Sequence, residues 1–134
     1  MNNDAIGVFD SGIGGLTAVK ELNNLLPNEN IIYFGGTARV PYGSRSRETV
    51  MKYAREDIAF LRKYKVKMII AACGTVSSVI GSTKLVTDIP FTGVILPAAQ
   101  AACGVTKNGK IGVIGTPATI KSGSFVKAIR GISP

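Results

Sequence analysis

The chain has 134 residues, is 46% hydrophobic and carries a formal net charge of +8. That length and apolar content suit one folded unit with a real core, and no apolar run reaches the roughly 18 residues of a membrane span. Two cysteines and no histidine argue against a disulfide scaffold and against an imidazole-based metal or acid–base centre. Proton chemistry is left to Cys, Asp, Glu, Lys or Tyr.

The opening MNNDAIGVFD has no basic segment followed by a long apolar one, so no signal peptide is expected and the default compartment is the cytoplasm. AIGVF (5–9) reads as a short buried strand and DSGIGG (10–15) as a glycine-rich turn. In 16–26, Leu16, Val19, Leu22 and Leu26 recur at helical spacing, and Pro27 stops the helix. NIIYF (30–34) is a second strand, and GGTARVPYGSRS (35–46) is a long loop.

Ser46 is placed to cap a helix over about 47–64, with Glu48 in its first turn and Val50, Ala54, Ile58 and Leu61 on one face. Nine of the sixteen Lys and Arg residues fall between Arg39 and Lys67, interleaved with Glu48, Glu56 and Asp57. This reads as a solvated basic helix face and not as a nucleic-acid surface.

VKMIIA (66–71) is a third strand, with a helix from about Val76. FTGVI (91–95) is a fourth strand, PAAQAACG (97–104) a short helix, KIGVIG (110–115) a fifth strand and 118–130 a closing helix. Strands and helices alternate, and most strands are near-continuous apolar runs. The expected fold is α/β with a mainly parallel sheet flanked by helices. Ligands of such sheets bind beyond the carboxyl ends of the strands. The loops DSGIGG, GGTARVPYGS, ACGT and GTPAT should therefore open on one edge.

DSGIGGLT fails the dinucleotide fingerprint because Thr17 stands where its third glycine belongs. Asp10 and Ser11 sit at a strand end, where they can face a ligand or cap a helix. Cys73 lies where strand gives way to helix. A helix N-terminus favours thiolate, and the thiol is expected to be accessible. Cys103 lies in a run of small residues and is read as core packing. The stretch 39–44 offers backbone donors beside Tyr42 and Ser44 that could hold a carboxylate.

IGVFDSGIGGLTAVKEL, YFGGTARVPYGSRS, IIAACGTVSSV, GVILPAAQAA and IGVIGTPATIKSGSF resemble, in order, successive blocks of bacterial glutamate racemase. The resemblance implies the flavodoxin-like half of a two-domain, pseudo-symmetric enzyme. It implies cofactor-free interconversion of L- and D-glutamate for peptidoglycan synthesis, with two cysteines serving opposite faces of the α-carbon. Cys73 matches the first cysteine, and Asp10 assists it. Asp10, Ser11, Pro41, Tyr42, Gly43, Gly74, Thr75, Thr116 and Thr119 match substrate contacts. No cofactor, metal, nucleic acid or membrane is implied.

The chain departs from the family at three points. Gly74 stands where the family has Asn, and Gly36 where it has Asp. The sequence is also about half the usual length, so the second cysteine is missing and Cys103 does not match it. The expected division is 1–97, an α/β domain carrying Cys73, and 98–134, the start of a second, truncated domain. Three readings stay open: a racemase half that is inactive alone, a related amino-acid racemase with altered substrate, and a non-catalytic relic or interaction module. The family's pseudo-symmetry also leaves room for a homodimer that opposes two Cys73 thiols.

Overall fold

The structure is a computed structural model that describes residues 2–81 and 87–133; the expected end of the second unit at Pro134 lies outside the described residues. Its elements are β1 (Ala5–Asp10), α1 (Leu16–Leu25), β2 (Ile31–Gly35), α2 (Arg47–Leu61), β3 (Val66–Ala71), α3 (Gly74–Ile80), β4 (Phe91–Gly93), α4 (Ile95–Val105), α5 (Pro117–Ser122) and α6 (Ser124–Ile132). Single 3-10 turns follow β2 at Thr37–Arg39 and α2 at Arg62–Tyr64.

Four strands form one sheet in the order β2-β1-β3-β4, and every pairing is parallel. This is the strand order at the start of the flavodoxin-like arrangement. The right-handed rule for crossovers between parallel strands assigns α1 to one face and α2 to the other, and α3 packs against α2. The register sets Asp10 beside Gly35, and Phe9 beside both Phe34 and Ala71. The carboxyl ends of β1, β2 and β3 thus finish level, and the loops after them emerge together.

The α2 stripe reads as expected: Val50, Ala54, Ile58 and Leu61 are all buried. They meet Phe9, Ile69 and Ala71 of the sheet and Val76 and Val79 of α3 in one cluster. Burying a side chain of this kind stabilises by about 1.5–3 kcal/mol, and Leu61→Ala should cost about 2–5 kcal/mol. Ser46 caps α2 as its type predicts, its Oγ accepting from the Thr49 amide at 3.2 Å.

The basic stretch 39–67 is laced with acids. Lys52 faces Glu56, Arg62 meets Asp88 at 2.6 Å and Lys67 meets Glu29 at 2.5 Å. This agrees with a solvated helix face.

The helix expected from the spacing of Leu16, Val19, Leu22 and Leu26 forms as α1, and its apolar side is not enclosed: Leu16 is 48% and Leu26 44% exposed, and α1 has no fully buried residue. Other expectations need correction. Residues 110–115 form no strand, and Ile114 is 99% exposed. Apolar content alone does not make a strand, and no described residue offers this segment a ladder partner.

The closing helix is broken at Gly123, whose φ of 65° ends α5 in the left-handed conformation and starts α6. Finally, β4 stops at Gly93, and α4 begins at Ile95, two residues before the expected start. Pro97 is tolerated there because first-turn amides have no intrahelical acceptor. Cys103 is half-buried on α4 and does not join the core cluster.

Candidate active site

Asp10 ends β1 and is 8% exposed. Its Oδ1 accepts from the Ser11 amide at 2.7 Å, and its Oδ2 from the Gly15 amide at 2.9 Å. One carboxylate thereby holds the whole DSGIGG turn. A Cβ on Gly15 would sit 2.8 Å from Asp10 Cβ, so the turn requires glycine there. Tyr33 on β2 braces the turn from the side, donating to the Gly12 carbonyl at 2.8 Å. Burial raises the Tyr33 phenol above its ordinary value, and the Asp10 and Cys73 charges beside it add to the rise.

Cys73 is the N-cap of α3, which begins at Gly74 and not at Val76. Its Sγ accepts from the Val76 amide at 3.5 Å. The thiol also donates to Ser11 Oγ at 3.5 Å, and Ser11 Oγ donates to Asp10 Oδ1 at 3.5 Å. Thiol, hydroxyl and carboxylate thus form a relay across the ends of β1 and β3. The expected accessibility is not found, because Cys73 is only 4% exposed. The Ser11 turn and the first turn of α3 enclose it.

Thr75, in the first turn of α3, shares a 2.9 Å hydrogen bond with Thr116. Thr116 caps α5 by accepting from the Thr119 amide at 3.3 Å, and its hydroxyl lies 3.1 Å from Thr119 Oγ1. Ser78 Oγ donates to Thr119 Oγ1 at 3.5 Å. The GTPAT loop therefore reaches the same edge although no strand delivers it. Thr119 is buried inside this hydroxyl chain, whereas Thr116 is exposed.

The PYGS loop closes the group. Gly43 lies against Thr116, where a Cβ would come within 2.4 Å of Thr116 Cβ, and its carbonyl accepts from the Ala118 amide at 3.2 Å. Among the described residues, the Gly43 and Ser44 amides donate to no atom of the chain. The Tyr42 side chain turns inward instead. It is 1% exposed and donates to Asp57 Oδ2 at 3.2 Å, so this loop offers a ligand its backbone and not the phenol. Burial first, then the Asp57 charge, pushes the Tyr42 phenol well above its ordinary range. Burial also raises the Asp57 carboxyl, against the pull of Tyr42 and Arg39. Pro41 and Gly74 are exposed, and nothing lies within 4 Å of a Cβ built on Gly74.

The structure thus gathers Asp10, Ser11, Cys73, Thr75, Thr116 and Gly43 on one edge. Sequence reasoning missed Tyr33, Ser78, and Asp57 with Arg39. Asp57 carried a readable signal: it falls seven residues after Val50 and three after Ala54, an acid on a buried stripe. Among the described residues no group of three or more Cys, Asp or Glu could hold a metal. None of the described helices is long and apolar enough to cross a membrane.

The fold is that of an α/β protein with a parallel sheet, and its thiol, carboxylate and hydroxyls lie at the carboxyl ends of the strands, the edge at which such sheets bind ligands. The chain is homologous to the glutamate racemases over essentially its whole length. It is 52% identical to glutamate racemase of Enterococcus faecalis over 134 residues, covering 99% of this chain and 49% of that protein. It is 49% identical to that of Geobacter metallireducens over 131 residues, covering 97% and 48%.

The crystal structure of glutamate racemase isoform RacE1 from Bacillus anthracis superposes with a TM-score of 0.93 at 42% identity, covering 99% of this chain and 50% of that one. The Francisella tularensis glutamate racemase solved in complex with D-glutamate gives 0.84 at 45% identity, covering 100% and 51%. The chain spans about half the length of the curated relatives it matches. No family model matches it.

Proposed function

We propose that the chain is the N-terminal half of a glutamate racemase and supplies one of the two acid–base faces. The observation that carries this is the Cys73–Ser11–Asp10 relay, in a chain about half identical to glutamate racemases. Cys73 acts as the base that takes the α-proton of one glutamate enantiomer while a second thiol protonates the opposite face; in the reverse direction the second thiol takes the proton of the other enantiomer and Cys73 donates one to its own face. Asp10 assists through Ser11, since the hydroxyl stands between carboxylate and sulfur. The free amides of Gly43 and Ser44 and the hydroxyls of Thr75 and Thr116 suit carboxylate oxygens. Pro41 and Gly74 contribute backbone at the rim, and Thr119 and Tyr42 act from behind by fixing Thr116 and the loop.

Residues 1–97 form the unit carrying Cys73, and 98–134 begin the second. Inversion at carbon needs an acid–base group on each face, and Cys73 serves one. The 134-residue chain therefore does not racemise glutamate alone. The second thiol comes from a second half or, less simply, from a homodimer opposing two Cys73 residues. In the cell the product would be D-glutamate for peptidoglycan, made in the cytoplasm. The open space at Gly74 is the one feature that favours an altered substrate, since a larger side chain could enter there.

The test extends the chain with a second half from a relative and follows L-glutamate by circular dichroism. Optical activity should decay with the extended protein, persist with Cys73→Ala, and persist with the 134-residue chain. Racemisation that survives Cys73→Ala would overturn the assignment.

A further inference from the structure

Asp57 is buried in the third turn of α2, yet no step proposed above uses it. It is 1% exposed, one oxygen accepting from Arg39 Nη2 at 2.9 Å and the other from the Tyr42 hydroxyl at 3.2 Å. Arg39 is itself held on three sides. It pairs with Glu56, and its guanidinium lies 4.1 Å from the centre of the Tyr53 ring. Tyr53 in turn packs on Tyr42, with ring centres 5.2 Å apart. A buried carboxylate with two charge-assisted partners is a fixed point, because leaving either partner unmet costs its desolvation.

The space for this bond depends on a third position. A Cβ on Gly36 would sit 2.8 Å from the Tyr42 hydroxyl oxygen. The tyrosine ring is rigid and enclosed, so its tip cannot swing aside while the Asp57 bond survives. Tyr42 is followed by Gly43, whose contact with Thr116 closes the candidate site.

We propose that Asp57, oriented by Arg39, is a positioning residue for the Tyr42–Ser44 loop, and that Gly36 is glycine to admit the Tyr42 hydroxyl to it. The carboxylate fixes the ring, the ring fixes the loop backbone, and the loop presents its free amides to the ligand. This last step rests on the glutamate reading proposed above; the anchoring itself does not.

Amide hydrogen exchange on the 134-residue chain tests the anchoring. The Arg45 amide donates to the Tyr42 carbonyl at 3.0 Å, and the Ala118 amide to the Gly43 carbonyl at 3.2 Å. Both therefore report whether the loop stays in place. Tyr42→Phe removes only the hydroxyl, and Gly36→Ala alters neither partner of the bond. Each should speed exchange at Arg45 and Ala118 by about tenfold, while the β1 and β3 amides change less than about twofold. Asp57→Asn should do the same if it folds, and the other two variants decide the matter if it does not. Loop amides that keep pace with the core in both variants would overturn the proposal.

Titration with L-glutamate, read at the Gly43 and Ser44 amides, separates the two readings. Weakening by about fivefold to tenfold in Tyr42→Phe supports the loop's role in binding, and unchanged affinity with a loosened loop refutes that role. A wild-type chain whose amides ignore glutamate counts against the glutamate reading, and the exchange ratio still decides the anchoring.

Discussion

Thr75 and Thr116 share a hydrogen bond of 2.9 Å although 41 residues separate them. This bond ties the first turn of α3 to the cap of α5, and it brings a loop to the site that the sheet does not deliver. Thr116→Val should lower stability by about 0.5–1.5 kcal/mol. Urea denaturation of Thr75→Val, Thr116→Val and the double variant forms a cycle. A coupling near zero would show that the two hydroxyls do not depend on each other.

Glycines 43 and 74 look alike in sequence and differ in space. Gly43→Ala drives a methyl to within 2.4 Å of Thr116, and should destabilise by about 1–3 kcal/mol. At Gly74 an added Cβ meets nothing within 4 Å, and Gly74→Asn should change stability by less than about 0.5 kcal/mol. In a chain extended with a second half, Gly74→Asn should also raise kcat/KM by roughly one to two orders of magnitude, as expected for one hydrogen bond to a charged ligand. Melting curves of the two variants check the first contrast, and glutamate kinetics the second.

Alkaline pH should unlock the Tyr42 anchor. Its phenol is raised from the ordinary 10.0 by burial and by Asp57. Unfolded chain then loses this proton at lower pH than folded chain. The stability due to the neutral phenol is full below about pH 10 and is lost as pH rises through the higher folded value. The loss is at most about 1.4 kcal/mol per pH unit for one group. Tyr42→Phe should lose stability less steeply than the parent above pH 10. Parallel curves for the two proteins would contradict the burial of this phenol.

The two thiols differ in access, in the opposite sense to that expected from sequence. Cys73 is 4% exposed behind Ser11, while Cys103 is half-buried on α4. A short iodoacetamide pulse on the folded chain should label Cys103 first, and Ser11→Gly should speed labelling of Cys73 by removing the hydroxyl that covers it. Peptide mapping decides; faster labelling of Cys73 in the parent chain would show that its enclosure opens readily.

Much of this protein is written locally. Alternating apolar runs and helical spacing determined three of the strands almost to the residue, and the buried face of α2 from Val50 to Leu61. Ser46 announced its cap, and the rule that loops follow the carboxyl ends of parallel strands is enough to bring Asp10, Ser11 and Cys73 to one edge. These features depend on neighbours a few residues away, or on a rule every parallel sheet obeys. Tertiary structure decided the rest. Among the described residues the apolar run 110–115 has no strand to pair with, so its composition promised an element it does not form. The apolar residues of α1 stay largely exposed, since α1 has no fully buried residue and among the described residues no second helix covers its apolar side. Tyr42 could have faced a ligand on sequence alone, but Asp57, fifteen residues on, turns its hydroxyl inward. Each outcome depends on a partner distant in sequence, and local spacing does not show whether that partner is there.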